Sequence, residues 1–356
     1  MKKVFIILLL VFTFWAGGIY YTPPLKADAE NHYYTTQVEH LFFHCLIAYP
    51  EIAFAKSNPM QKSYLRDCIT PLEFTRVLNS LYDNNYILVS IYDTFYVKNG
   101  ISYKNKLKLP IGKKALIISF DDVNYDHKKM GYGMVDKLII DNDGNIASST
   151  TLNGKEEISY TNEFVPIVEN FVKQHPDFSL NGAKGTICLT GYDGIFGYRT
   201  SHTNTSRFKD TEISNATIIA QRLKDMGWNF ACHSYGHYHM KQISNEKFKN
   251  EIQNWQNEVE KIIGKTSVYV YPYGEWEVFE NNDYSAKHKM LIDAGFGLFC
   301  GVGMKTFYSY LPNSFGKKVL FMDRKAVDGT TLNSNSPYLA PFFNPIKVLD
   351  ERRPDF

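Results

Sequence analysis

Short apolar runs alternate with amphipathic helical patterns along this chain from about residue 40 onward. The runs are continuously apolar, which is typical of parallel strands that are covered on both faces. Strands that alternate with helices favour a parallel α/β fold, and a closed (β/α) barrel is the natural arrangement. Eight runs are predicted as strands, at 41–47, 86–91, 115–120, 185–189, 228–232, 267–271, 297–302 and 318–322.

Amphipathic helices are predicted between these strands. The sequence Thr70-Pro71-Leu72-Glu73 has the form of a capping box with proline at the first helical position, so a helix should begin at Pro71. Apolar residues spaced three and four apart predict further helices around 164–172, 216–226 and 248–262. We therefore expect one barrel domain over residues 39–332.

Two stretches depart from the alternating pattern. Residues 137–160 contain an Asp-Asn-Asp-Gly sequence and are predicted as a β-hairpin inserted after the third strand. Residues 333–356 are rich in proline and are predicted as an irregular C-terminal tail.

The N-terminal residues have the pattern of an export signal. Lys2 and Lys3 precede an uncharged, apolar stretch over residues 4–21. Without cleavage, this stretch has just enough length to span a bilayer as a membrane anchor. We therefore interpret residues 1–29 as a signal peptide or anchor, and we expect the remainder to be secreted or attached at the cell surface.

Composition excludes two other classes of protein. The 39 basic side chains barely exceed the 37 acidic ones, so no basic excess indicates binding to nucleic acid. The five cysteines include no Cys-x-x-Cys pair, so neither a zinc ribbon nor a disulfide framework is predicted.

Two polar clusters follow predicted strands and indicate a metal site. Asp121 and Asp122 are adjacent at the end of an apolar run, and His233 and His237 are four residues apart after another. Because both clusters lie at carboxyl ends of barrel strands, we expect them to meet at one mouth of the barrel. One carboxylate and two imidazoles suit zinc or a similar divalent ion, and the second carboxylate is free to accept a proton from water.

Three segments resemble, in order, the first motifs of the polysaccharide deacetylases, the family 4 carbohydrate esterases with a NodB-homology domain. They are Phe120-Asp121-Asp122, His233-Ser234-Tyr235-Gly236-His237 and Tyr271-Pro272-Tyr273-Gly274. The resemblance extends from about residue 39 to 328. It implies a distorted (β/α) barrel and a metal-dependent hydrolase that removes acetyl groups from an acetylated polysaccharide of the N-acetylglucosamine type.

The resemblance also implies a role for each motif residue. Asp121 corresponds to the catalytic base, and Asp122, His233 and His237 correspond to the ligands of a divalent ion, with Zn²⁺ favoured. The backbone N–H of Tyr273 corresponds to the group that stabilises the oxyanion.

The chain departs from the family pattern at two places. No arginine precedes the third motif, and no Leu-x-His motif follows near the C-terminus. Arg324 either replaces the missing arginine or is a surface cation. For the missing general acid, His44 at a strand end is favoured over His202 on a long loop. Three further residues are predicted to contact the substrate, namely Tyr235, Trp276 and Arg324.

Two other functions remain open from the sequence. An O-acetyl polysaccharide esterase would need less help from an acid, which suits the absence of the Leu-x-His motif. A glycan-binding wall protein without catalysis would not need to retain all four residues Asp121, Asp122, His233 and His237.

Overall fold

Nine strands form the central sheet, and the eight that make up its main strand order are labelled β1 to β8 in chain order. The computed structural model describes residues 32–275, 279–280, 283–309 and 317–354. Seven strands pair in parallel in the order β4-β5-β6-β7-β8-β1-β3, and β4 also pairs with β3, which closes the predicted barrel. The bounds are β1 Val38–His44, β2 Tyr86–Leu88, β3 Lys114–Asp121, β4 Thr186–Leu189, β5 Asn229–Cys232, β6 Val268–Val270, β7 Leu298–Val302 and β8 Leu320–Ala326.

The barrel is distorted where β3 serves two neighbours. The short strand β2 pairs with the first part of β3, where Leu88 lies opposite Leu116. Strand β4 pairs with the last part, where Cys188 lies opposite Asp121. Seven strands therefore form the closed barrel. Strand β2 is outside this ring and pairs only with the amino-terminal part of β3.

Five longer helices cover the barrel. The predicted capping box is confirmed, because the Thr70 side chain accepts a hydrogen bond from the Glu73 N–H and the Glu73 carboxylate accepts one from the Thr70 N–H. The fourth helix continues through a π-helical turn at Gln256–Glu260 and a last turn at Lys261–Ile263. The five helices are α1 Pro71–Asp83, α2 Phe164–Gln174, α3 Lys209–Asp225, α4 Asn245–Trp255 and α5 Ala286–Asp293.

Two apolar cores hold this architecture. One fills the barrel with small and branched side chains such as Ile117, Ala231 and Val270. The other lies between strands and helices, where the Phe120 and Phe164 rings stack with centroids 3.8 Å apart. Full burial of each such ring contributes about 1.5–3 kcal/mol. The fixed barrel wall positions the residues at the strand ends.

The insertion occupies the predicted residues but has three strands where a two-stranded hairpin was expected. Strands Lys137–Ile140, Ile146–Leu152 and Lys155–Ser159 form a three-stranded antiparallel sheet. Further strands pair outside the barrel core: His32–Thr35 with Leu107–Pro110, Phe95–Lys98 with Ile101–Lys104, Phe279–Glu280 with Asp283–Tyr284, and Phe307–Ser309 with β8.

The C-terminal residues are more regular than predicted. Pro337 and Pro345 each begin a short helical turn, because proline fits the first helical position where no N–H bond is needed. The buried Arg353 then pairs with Glu73 of α1 at 2.7 Å, which fixes the tail to the barrel. The other short helices are Pro50–Ala53, Gln61–Asp67, Gly329–Asn333 and Pro345–Val348.

The predicted signal or anchor over residues 1–29 lies outside the described residues. Within the described part of the chain, no helix combines the length and the apolar character needed to cross a membrane.

Candidate active site

The carboxyl ends of the barrel strands surround a cavity of about 500 Å³. His44 ends β1, Asp121 ends β3 and His233 directly follows β5, so three strands deliver polar side chains to one place. The cavity is also lined by Asp122, His237 and Tyr273. The structure therefore brings together the residues of both predicted polar clusters.

The side chains of Asp122, His233 and His237 form a group that fits a divalent ion. Their ligand atoms lie within 4.8 Å of one another. The Nδ1 atom of His233 lies 3.0 Å from the Val270 carbonyl oxygen, to which it donates, and this leaves Nε2 for a metal. Among the described residues, the buried Oδ1 atom of Asp122 has no hydrogen-bond partner, and a metal ion would coordinate it.

The protonation of this group also suits metal binding. Burial lowers the pKa of His237 to about 4, although the charge of Asp122 opposes this effect. His237 is therefore neutral near pH 7, as a ligand must be. Burial raises the pKa of Asp122, but the charges of His237 and His233 outweigh it and hold the pKa below its usual range.

A second group of acids and histidine lies nearby, but it is already neutralised. Asp126, His127 and Asp193 also place ligand atoms within 4.8 Å. Arg199 Nη1 lies 2.7 Å from Asp193 Oδ2, and the same nitrogen donates to the Asp193 carbonyl oxygen. The contacts of this cluster stabilise the loop that follows Asp122.

Asp121 is held by a buried arginine. Arg324 donates from Nη1 and Nη2 to the two carboxylate oxygens of Asp121, at 2.7 and 2.9 Å. Burial raises the pKa of Asp121, but the charges of Arg324 and then His233 outweigh it and hold that pKa well below its usual range. Asp121 is thus ionised and oriented.

Arg324 is buried and is not a surface cation. It is 1% exposed, and both terminal nitrogens are engaged by Asp121. Its guanidinium also packs over the Phe42 ring at 4.2 Å. Arg324 therefore contacts Asp121 in the position that the missing arginine leaves open, and its predicted contact with the substrate stays a prediction.

Turns with unusual backbone angles present the ligands. Asp122, Ser234, His237 and Tyr273 have φ angles of 60°, 58°, 53° and 58°. Such left-handed angles at residues other than glycine cost on the order of 1–3 kcal/mol each and persist only where the surroundings enforce them. One enforcing contact is the hydrogen bond from the His237 N–H to Ser234 Oγ, at 3.0 Å.

Of the two predicted acid candidates, the structure brings His44 to the cavity. His44 lies opposite Asp121 in the pairing of β1 with β3, and its Nδ1 lies 2.9 Å from the Asp67 carbonyl oxygen. His202 does not line this cavity and instead pairs with Glu258 at 2.8 Å.

The structure does not bring Tyr235, a predicted substrate contact, to the cavity lining. Tyr235 is 4% exposed, and its hydroxyl donates to Glu258 at 2.7 Å, away from the cavity lining. The positive φ of Ser234 turns the chain there, so neighbouring motif residues point in different directions. Trp276, the third predicted contact, lies outside the described residues.

Sequence reasoning missed two residues near Tyr273 and one in the cavity. The ring of His239 stacks on the exposed Tyr273 ring at 3.8 Å, and Glu275 holds His239 at 2.8 Å. Lys129 lines the cavity from the loop after Asp122. Only proximity to the motifs could have indicated any of them.

The fold and the site together define a class. A closed parallel barrel that presents an ionised, oriented carboxylate beside an open group of one carboxylate and two imidazoles has the parts needed for metal-assisted hydrolysis.

One part of the chain matches a known family model. Residues 197–288, which contain the second and third motifs, match the family model described as polysaccharide deacetylase. This match confirms the resemblance to the polysaccharide deacetylases, a family of carbohydrate-active hydrolases. No curated protein sequence matches the chain.

Several solved structures are similar to this one. The Streptococcus pyogenes deacetylase PplD in complex with acetate is 13% identical, with 83% of this chain and 93% of that chain covered and a TM-score of 0.43. IcaB from Ammonifex degensii is 13% identical over the same shares, with a TM-score of 0.42. The BpsB deacetylase domain from Bordetella bronchiseptica is 11% identical, with coverages of 82% and 96% and a TM-score of 0.38.

Proposed function

We propose that this protein is a metal-dependent deacetylase that acts outside the membrane on an N-acetylated polysaccharide of the N-acetylglucosamine type. The observation that carries the proposal is the pairing of Asp121 with Arg324 directly beside the open group of Asp122, His233 and His237. The apolar stretch over residues 4–21 supports export of the chain.

Asp121 acts as the general base in this proposal. A divalent ion held by Asp122, His233 and His237, with zinc favoured by the nitrogen ligands, would polarise the acetyl carbonyl and make the attacking water more acidic. Asp121 accepts a proton from that water, and the two bonds from Arg324 fix the carboxylate in place as it does so.

Tyr273 stabilises the negative charge that develops on the acetyl oxygen. A donor that is already oriented before the reaction stabilises a transition state without reorganisation. The left-handed φ of Tyr273 fixes the direction of its backbone N–H at the rim of the cavity. The centroids of the Tyr273 and His237 rings lie 4.5 Å apart, so the turn at Tyr273 packs against the turn that carries the metal ligand His237.

His44 donates the proton to the leaving sugar amine. Its Nδ1 donates to the Asp67 carbonyl oxygen, so Nε2 is the nitrogen available to the cavity. A carbonyl acceptor at Nδ1 fixes the orientation of the ring. His44 thereby supplies the acid that the absent Leu-x-His motif does not.

Metal content and acetate release test the proposal together. The purified protein should contain one divalent ion per chain and release acetate from N-acetylglucosamine oligomers. His233→Ala should lose both, whereas His127→Ala, which alters the neutralised cluster, should keep both. Full metal content in His233→Ala would refute the site, and acetate release only from O-acetylated glycans would establish the esterase alternative.

A further inference from the structure

Three cations line the cavity among the described residues, and they differ in how they are paired. Arg324 pairs with Asp121 and Arg66 pairs with Asp67, each at 2.7 Å. Lys129 lines the same cavity, yet within the described part of the chain it forms no ion pair and its ammonium has no hydrogen bond. Its positive charge is therefore available to a ligand.

The backbone around Lys129 is firmly placed. Asp126 caps the turn His127–Lys129 by accepting a hydrogen bond from the Lys128 N–H at 2.9 Å. The Lys129 N–H donates to the Asp126 carbonyl oxygen at 2.8 Å. Lys128 points to solvent, whereas Lys129 is partly buried. The fold thus selects one of two adjacent lysines for the cavity.

Of the groups that act most strongly on the Lys129 ammonium, Asp122 is an acid and the others are uncharged. Burial raises the pKa of Cys68 to about 12, and it also raises the pKa of Tyr64, so both side chains are uncharged near pH 7. The charge of Lys129 is the strongest electrostatic influence on each of them. Asp122 is the acid that acts most strongly on Lys129, and it belongs to the metal group.

The Lys129 ammonium lines the cavity without an ion pair among the described residues, so an anionic ligand group would form a charge-assisted hydrogen bond with it. We infer that Lys129 recognises an anionic substituent of the substrate, so that the preferred substrate is an acetamido glycan that carries a carboxylate or phosphate on or beside the sugar to be deacetylated. This inference rests on the proposed function, because it concerns the same cavity.

Deacetylation kinetics on matched oligomers test the inference. The probes are a neutral N-acetylglucosamine oligomer, an oligomer with a carboxylate on the neighbouring sugar, and one with a phosphate there. The wild-type protein should favour an anionic oligomer, and the arm with the larger preference identifies the anion. Lys129→Met should lower kcat/KM for that oligomer roughly tenfold or more and leave the neutral oligomer within about twofold.

Three controls separate recognition from other roles. Lys128→Met should change neither activity, and Lys129→Arg should restore most of the preference because it keeps the charge. If Lys129→Met does not fold, Lys129→Gln replaces it. Equal losses on the neutral and anionic oligomers, or no wild-type preference, would overturn the inference.

Binding to the Asp121→Asn protein distinguishes failure of this inference from failure of the proposed function. Binding of the anionic oligomer that depends on Lys129, without acetate release by the wild-type protein, would support the anion site and refute the deacetylase. Acetate release from all oligomers without any dependence on Lys129 would support the deacetylase and refute the anion site.

Discussion

The two halves of the cavity are built in different ways. The strand-held half consists of Asp121 on β3 and Arg324 on β8, both buried and joined by two hydrogen bonds. The turn-held half consists of Asp122, His237 and Tyr273, which all have left-handed backbone angles. In the first half, the protein satisfies the carboxylate itself. In the second, a carboxylate oxygen is buried without a partner, so an ion can complete it.

The largest effect should follow from breaking the strand-held half. Arg324→Met leaves Asp121 as a buried, unpaired charge, which should lower the free energy of unfolding by about 3–5 kcal/mol. Arg66→Met is the matched control, because the Arg66–Asp67 pair is exposed and should contribute less than about 1 kcal/mol. Denaturant unfolding at pH 7 measures both; equal losses would contradict the comparison.

The same substitution should change the pH dependence. Arg324 holds the pKa of Asp121 below its ordinary value, so the base is ionised, and its ion pair stabilises the fold, until the pH falls through that low pKa. Without Arg324, burial dominates and raises the pKa. The acidic limb of the kcat/KM profile should therefore move to higher pH in Arg324→Met. An unchanged acidic limb would show that Asp121 is not the titrating base.

A smaller loss, in rate alone, is expected at His44. His44→Asn should lower kcat about 10²–10⁴-fold and remove the fall in kcat at high pH, because no acid remains to be deprotonated. The melting temperature should be unchanged. His202→Asn is the control, since His202 binds Glu258 outside the cavity. An unaltered pH profile in His44→Asn would reject the acid role.

The smallest effect is expected at Tyr235, inside a catalytic motif. Tyr235→Phe removes the hydroxyl that donates to Glu258 and that also lies 2.9 Å from His202 Nδ1, and it should lower the free energy of unfolding by about 1–2 kcal/mol. Its KM should stay within about twofold of the wild-type value. A tenfold increase in KM would instead support the predicted contact between Tyr235 and the substrate.

The difference between the halves also explains what the sequence could predict. Asp121, Asp122, His233 and His237 could be found because each follows an apolar strand, and parallel barrel strands end on one face. The sequence left two roles open for Arg324 and could not decide between them, because its distance to Asp121 depends on the strand order, in which β1 lies between β8 and β3.

Other features of the site and fold depend on local backbone geometry that the sequence does not indicate. The buried position of Tyr235 depends on the left-handed turn at Ser234, for which serine gives no signal. The regular C-terminal residues were missed because proline was taken as a breaker, although Pro337 and Pro345 each begin a helical turn.

Metal content of two neighbouring variants tests the central claim most directly. Asp121 and Asp122 are adjacent in sequence, but Asp121 is assigned as the general base and Asp122 as a metal ligand. Asp121→Asn should retain one divalent ion per chain and lose turnover by about 10²–10⁴-fold. Asp122→Asn should lose the ion. Loss of the ion in Asp121→Asn together with its retention in Asp122→Asn would contradict this assignment of the two halves.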